Sequence, residues 1–292
     1  MVPGTAPRPA APMPAQPKKP PHMLVLGTGF VGRYVSERLL AQGWRVSGTC
    51  TSAGKKMELE LLGMTASVFD ATTSNLANLH ALQDATHLLI SIPPIPGVCM
   101  VIVVVHGLTR MNPKSESSKL RYAAEQGWLD LVDELDLSAF ILRLGGIYGP
   151  GRSALDTIAK RNSSSGRQKL RESKQYTARI HVADIYQAIL ASMSIKSTRK
   201  IYNVVDDDPA SRSEVFAFAQ SLIGKRYPDL AADSAGSNSQ NRIMTAEKRV
   251  SNGRLKQELG IRLVHPSYRS GLQSILDSWL AESIISREVS DV

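Results

Sequence analysis

A short apolar run, Met23 to Leu26, leads straight into Gly27-Thr28-Gly29-Phe30-Val31-Gly32 and then into a helical repeat, Val31, Val35 and Leu39, that stops at Gly43. Few local patterns restrict a chain as much. A strand that turns at once into a helix needs glycine for distinct reasons. Gly27 permits the tight turn, Gly29 lets the backbone approach a ligand, and Gly32 lets helix and strand pack closely. The helix start presents unpaired N–H groups and a positive dipole end. The loop therefore reads as a seat for a pyrophosphate, with Gly27, Thr28, Gly29, Phe30, Val31 and Gly32 as its binding residues.

The same strand-helix alternation continues beyond Gly43. Trp44 to Thr49 reads as a second strand, Lys55 to Leu62 as a helix ended by Gly63, and Ala66 to Phe69 as a third strand. Leu76 to Leu82 is a short helix and His87 to Ile92 a fourth strand. Alternation at this pace predicts an α/β fold of the Rossmann type, a doubly wound parallel sheet with helices on both faces. Further on come a strand at Ala139 to Leu144, a loop from Gly145 to Gly151, an irregular basic stretch and a helix from Ala183 to Ser192. A strand at Lys200 to Val205, a helix from Ser211 to Ile223, a connection from Gly224 to Asn241 and a final helix from Tyr268 to Glu282 complete the reading. We expect a dinucleotide-binding domain over residues 23–150, and a C-terminal part over 151–292 that holds a small substrate lobe and the last Rossmann elements.

Residues 1–22 hold eight of the 16 prolines and no acid, so they read as a disordered lead. The same composition fits a plastid or mitochondrial transit segment, although this one is short and poor in serine. No apolar run reaches the roughly 18 to 20 residues of a membrane span, which predicts a soluble protein. Only Cys50 and Cys99 are present, which points to a reducing compartment such as the cytoplasm. The formal charge of +9 is concentrated in the leading segment and in Arg152 to Arg179, where basic residues outnumber Asp156 and Glu172. That stretch suits an anionic substrate or cofactor phosphate, or is a solvated face. It lacks the interleaved aromatics of a single-strand nucleic-acid groove, and zinc-finger spacing is absent, so the expected partner is a small molecule.

NAD binders place a carboxylate about 20 residues beyond the glycine loop, on the ribose 2′-hydroxyl. That position falls near Thr49 to Ser52, where no acid stands. Thr51, Ser52, Lys55 and Lys56 offer hydroxyls and cations suited to a 2′-phosphate, so NADP is expected over NAD; the plainer reading is that the lysines only begin a solvated helix. Asp70, at the end of the third strand, can accept from the adenine amino group or cap a helix.

The glycine loop, Ser91-Ile92-Pro93-Pro94, Leu142-Arg143-Leu144-Gly145-Gly146-Ile147-Tyr148-Gly149-Pro150-Gly151, Arg179-Ile180-His181-Val182-Ala183-Asp184 and Ile201-Tyr202-Asn203-Val204 together resemble the short-chain dehydrogenase/reductase superfamily. Within it the chain is similar to the extended and atypical branch of NAD(P)-dependent epimerases and dehydratases, over most of residues 23–280. The resemblance implies an NAD(P)-binding oxidoreductase or epimerase acting on a small carbonyl or sugar-like substrate. It places Ser91 and Pro93 by the cofactor and Gly145 to Tyr148 on the nicotinamide side, with His181 and Asp184 helping to close the lobe. A carboxylate can orient an imidazole, but no nucleophile accompanies this pair, and we read it as structural, with Asp184 supporting a helix start.

Two departures stand out. Members that do chemistry carry Tyr-x-x-x-Lys on one helix face, the lysine lowering the phenol's pKa for proton transfer. The corresponding helix here, Ser117 to Glu125, has no register with that pair. Ser115 with Lys119, and Ser117 with Arg121, keep the spacing but not the phenol, and are the weak catalytic candidates. The second departure is length. If Val98 to Val105 is the fifth strand, its connection, Ile92 to Gly97, is shorter than the dozen or so residues of a parallel crossover. This suggests a chain shortened between residues 93 and 115, through splicing or a gene-model variant. The enzyme reading therefore stands beside two others: a non-catalytic NADP-binding sensor or scaffold, and a product without stable function.

Overall fold

The computed structural model describes residues 20–70, 73–74, 78–92, 104–106, 126–127, 130, 139–160, 176–195, 200–226 and 249–290. The first half is a parallel sheet built from β1 (His22–Leu26), β2 (Arg45–Cys50), β3 (Thr65–Val68) and β4 (His87–Ile90), in the order β3-β2-β1-β4. Met23 lies opposite Val46 on one side and His87 on the other. With a neighbour on each edge and a layer on each face, every residue of β1 is buried, which explains its unbroken apolar run. Helix α1 (Phe30–Ala41) turns Val31, Val35 and Leu39 inward at four-residue spacing. Helix α2 (Ala53–Leu61) starts at Ser52, whose hydroxyl accepts from the Lys55 N–H at 3.3 Å.

The N-terminal ends of β1 and β2 are tied by polar side chains to the turn before β4. His22 Nε2 lies 2.8 Å from Ser47 Oγ, and His22 Nδ1 lies 3.0 Å from Asp84 Oδ1, off the line of a good hydrogen bond. Arg45 donates to the other Asp84 oxygen at 2.9 Å. The connectivity mimics a Ser-His-acid relay. Ser47 is buried, however, and borders neither of the two cavities of the molecule's candidate sites, so the network acts as a clamp.

The second half adds β5 (Val104–His106), β6 (Phe140–Leu144) and β9 (Lys200–Val204), parallel in the order β5-β6-β9, and the parallel pair β7 (Gly146–Tyr148) and β8 (Arg179–His181). No ladder joins β4 to β5 among the described residues. One apolar core nonetheless unites the two halves, taking Val25 and Leu89 from the first and Leu142, Leu144, Ile180 and Tyr202 from the second. Helix α4 (Val182–Met193) packs on α1, with α3 (Ala154–Ala159) preceding it in the chain. A separate apolar cluster joins Leu155 of α3, Val215 and Leu222 of α5 (Arg212–Arg226), and Tyr268, Leu272 and Ile275 of α7 (Tyr268–Ser290). No helix among the described residues is long and apolar enough to cross a membrane.

Several expectations need correction. The segment 145–151 is not simply a loop, because residues 146–148 form β7. Gly145 makes this possible: a β-carbon there would sit 2.9 Å from the Arg179 backbone. The basic stretch contains α3, begun by Ser153, whose hydroxyl accepts from the Asp156 N–H. Gly224 lies inside α5. Helix α6 (Gly253–Leu259) has no strong periodic signal; Glu258 anchors it to β9 through Lys200 at 2.7 Å and Tyr202 at 2.9 Å.

The fifth strand is described at Val104–His106, and residues 98–103 lie outside the described ones. The expected connection, Ile92 to Gly97, lies outside the described residues beyond Ile92. The expected helix from Ser117 to Glu125 lies outside the described residues, as do the tail up to residue 19 and most of the segment from Gly224 to Asn241.

Candidate functional site

Four strands of the first sheet end around a cavity of about 450 Å³. The glycine loop supplies Gly27, Thr28 and Gly29, the end of β2 and the turn after it supply Thr49, Cys50, Thr51 and Ser52, and α2 supplies Lys55. Phe69 and Asp70 follow β3, and Ser91 and Ile92 follow β4. A crevice at the carboxyl ends of parallel strands is where open α/β sheets bind ligands.

The loop owes its shape to the positions that exclude side chains. Gly27 has a φ of +89°, and a β-carbon there would lie 2.8 Å from Ile92 Cγ1. Its N–H donates to Thr49 Oγ1 at 2.9 Å, while the Thr28 N–H and hydroxyl both donate to the Thr49 carbonyl, at 3.0 and 2.9 Å. Gly32 lies so close to the Gly27 carbonyl oxygen that any β-carbon would overlap it. Gly29 differs. It precedes α1 with an extended backbone, and nothing lies within 4 Å of its absent β-carbon. Gly27 and Gly32 are dictated by the protein's own packing, whereas Gly29 keeps an approach to the backbone open.

Of the residues singled out from sequence, Gly27, Thr28, Gly29, Thr51, Ser52, Lys55, Asp70 and Ser91 meet in this one cavity wall. Val31 faces the core and Gly32 the strand, so neither borders the cavity. Phe30 turns away from it: Arg152 lies over its ring at 5.4 Å, and a β-carbon on Gly149 would touch its edge at 3.1 Å. Pro93, Ser115, Ser117, Lys119 and Arg121 are outside the described residues. Sequence reasoning missed Thr49, Cys50, Phe69 and Ile92, whose signal was their place at strand ends.

No carboxylate stands at the end of β2. Its last residue, Cys50, is buried and directs its thiol toward the Ser52 carbonyl at 3.5 Å. Lys55 Nζ meets Glu58 Oε2 at 2.7 Å, and Lys56 lies outside the wall, 3.6 Å from Glu60. Asp70 accepts from the backbone N–H groups of Thr73 and Ser74 through its own carbonyl, and its N–H donates to Ser74 Oγ at 3.0 Å.

A second cavity of about 710 Å³ opens beside β7 and β8. Among the described residues its walls carry Arg152, Lys160, Arg179 and Arg212 and one acid, Asp156, which accepts from Ser153 at 2.5 Å. Tyr148, Tyr176, Phe216 and Tyr268 add aromatic surface. Tyr148 is the one phenol on β7, but it does not stand in for the absent catalytic tyrosine. Burial raises its pKa further from neutrality, and its hydroxyl donates to the Ser267 carbonyl at 3.4 Å.

His181 and Asp184 organise the wall from behind. The His181 ring accepts from the Ala183 N–H at 3.2 Å, beginning α4, and burial with a neighbouring His265 pushes its pKa down to about 3. A ring held neutral in this way is no proton shuttle near neutral pH. Asp184 is fully buried and accepts from the Val264 and His265 N–H groups at 2.6 and 3.2 Å. It thus holds the turn that leads into α7; the start of its own helix is capped by the histidine.

No family model matches the chain. It is 30% identical over 149 residues to a 3-diazoavenalumate denitrifying reductase from Streptomyces sp, a match covering 49% of this chain and 48% of that one. The chain thus spans about half the length of that relative. Among solved structures it is similar to a conserved protein of unknown function from Silicibacter pomeroyi (TM-score 0.65, 28% identity, 88% of this chain and 99% of that one). It is also similar to dTDP-glucose 4,6-dehydratase from Bacillus anthracis in complex with NAD (TM-score 0.67, 13% identity, 89% and 97%). These likenesses show the fold, an α/β Rossmann-type parallel sheet with flanking helices.

Proposed function

We propose that this protein binds NADP in the cavity at the ends of β1 to β4, as an NADP-dependent oxidoreductase or epimerase of a small carbonyl or sugar-like substrate. The observation that carries the reading is the open backbone at Gly29 beside a wall that has Ser52 and Lys55 where an NAD binder has an acid. The cavity fits the group in its parts. Thr28 and Gly29 would border the pyrophosphate, whose negative charge the first turn of α1 would favour. Asp70 would stand on the adenine side, and Thr51, Ser52 and Lys55 would hold the 2′-phosphate. Bound there, the cofactor supplies or takes up a hydride.

The remaining residues 151–292 would form the substrate side, with the basic cavity as its site. The guanidinium and ammonium groups of this wall favour a substrate with a phosphate or carboxylate, and Tyr176 and Phe216 offer faces for a ring. Phe30, which belongs to the glycine loop, lies beneath Arg152 of the basic cavity. The buried Cys50 thiol suits a reducing compartment, the cytosol on this reading.

A second reading has a specific observation behind it. No Tyr-x-x-x-Lys pair occurs in the chain between residues 93 and 138, and Tyr148 is chemically unsuited to replace it. A non-catalytic NADP-binding sensor or scaffold would need no such pair. Titrating NADPH and NADH by cofactor fluorescence, then assaying hydride turnover against a panel of carbonyl compounds with and without anionic groups, separates the two. Turnover of an anionic carbonyl supports the enzyme, NADPH binding without turnover supports the sensor, and absence of binding overturns both.

A further inference from the structure

We infer that Glu58 tunes the cofactor preference of this site, as a displaceable counter-ion that occupies Lys55 and Arg33 until a 2′-phosphate takes its place. The inference rests on the proposed NADP site and adds a residue that lies outside the cavity wall.

Lys55 and Glu58 are three apart on α2 and therefore share a face. Their charged atoms are 2.7 Å apart, and the same Glu58 oxygen lies 4.0 Å from Arg33 Nη1 on the facing helix α1. Arg33 in turn meets Glu37 at 2.8 Å. Lys55 and Arg33 are thus matched by Glu58 and Glu37 at this corner of the molecule. Lys55 holds the Glu58 carboxyl below the usual carboxylate range, so it is ionised near neutral pH.

The pair is shallow. Glu58 is 57% exposed and Lys55 36%, and exposed ion pairs of this kind contribute little. Opening it therefore costs little when a phosphate arrives, and Lys55 exchanges one anionic partner for another. Glu58 itself stays nearby and repels the phosphate, within a Debye length and without an intervening protein layer. The pyrophosphate is common to both cofactors, so the discrimination comes from the 2′ position, where NADP has a charge to repel and NAD a neutral hydroxyl. The carboxylate thus moderates affinity for NADP more than for NAD.

The test compares Glu58→Gln and Lys55→Ala with the parent chain, by fluorescence titration with NADPH and with NADH at low and high salt. Glu58→Gln is expected to tighten NADPH about three- to fivefold, with NADH shifted less and the gain shrinking at high salt. If Lys55→Ala weakens NADPH alone while Glu58→Gln fails to tighten it, or shifts both cofactors equally, the role of Glu58 is overturned and the NADP reading survives. If the parent binds NADH at least as well as NADPH and Lys55→Ala moves neither, both fall together.

Discussion

The two cavities are assembled in opposite ways. The one at the strand ends draws its wall from residues 27–92, each contribution following the strand before it, and its shape rests on two glycines that no other residue can replace. The basic one draws on residues 144–272, and its wall is held by groups that do not line it, Asp184 above all. The first is a local construction repeated four times; the second exists only once distant segments have been tied together. Damage should accordingly spread differently from each.

Removing the tie gives the largest expected effect. Asp184→Ala strips the acceptor from two backbone N–H groups and should cost about 3 kcal/mol in urea unfolding. Below its melting range the variant should still bind NADPH like the parent, because the turn it frees leads into α7 and not into the glycine loop. Lost NADPH binding in the folded variant would show the cavities to be one unit. Gly32→Val breaks the other side: the new side chain meets the Gly27 carbonyl, and a cost of about 2 kcal/mol together with lost NADPH binding is expected.

Asp206 sharpens the comparison through pH. It is buried behind Arg179 with neither carboxyl oxygen hydrogen-bonded, and burial raises its pKa from 3.8 to about 8, with Asp208 and Asp207 adding to the rise and Arg179 opposing it. Between these values the native state holds a proton that the unfolded chain has released, so its contribution to stability falls as pH climbs from about 4 to about 8 and levels off above. Asp206→Asn cannot ionise. Its stability relative to the parent should improve steadily as pH rises across that window, measured by thermal unfolding at several pH values. A difference independent of pH would show that Asp206 is charged throughout.

The smallest change in stability is expected where the glycine loop is open. Gly29→Ala meets no atom within 4 Å, so unfolding should shift by less than about 0.5 kcal/mol. Both NADPH and NADH should nevertheless bind about tenfold more weakly, because the methyl stands where the pyrophosphate approaches. Equal stability with unchanged binding would remove the pyrophosphate from this loop.

The contrast between the cavities also separates what is legible in the sequence from what is not. Burial on both faces writes an apolar run into β1, and four-residue spacing marks α1, so these elements are legible to within a residue or two. Strand β7 is not, because Gly145 and Gly146 look like a loop until Arg179 lies alongside. Helix α6 escapes a sequence reading because its anchor, Glu258, has partners on β9 more than fifty residues away. Thr51, Ser52, Lys55 and Asp70 are found by their distance from the glycine loop; Phe69 and Ile92 are not, since a hydrophobic residue at a strand end carries no mark of what it faces.

By itself the sequence determined the strand-loop-helix entry to the fold, the absence of an acid after β2 and the absence of a Tyr-x-x-x-Lys pair. These are facts of backbone freedom and of which side chains exist, and they hold whatever surrounds them. Only the tertiary structure decided that Gly32 guards packing while Gly29 guards access, that Phe30 faces Arg152, and that Glu58 reaches Lys55 and Arg33 together. Each of these depends on what lies within a few ångströms across a chain separation that no local pattern records.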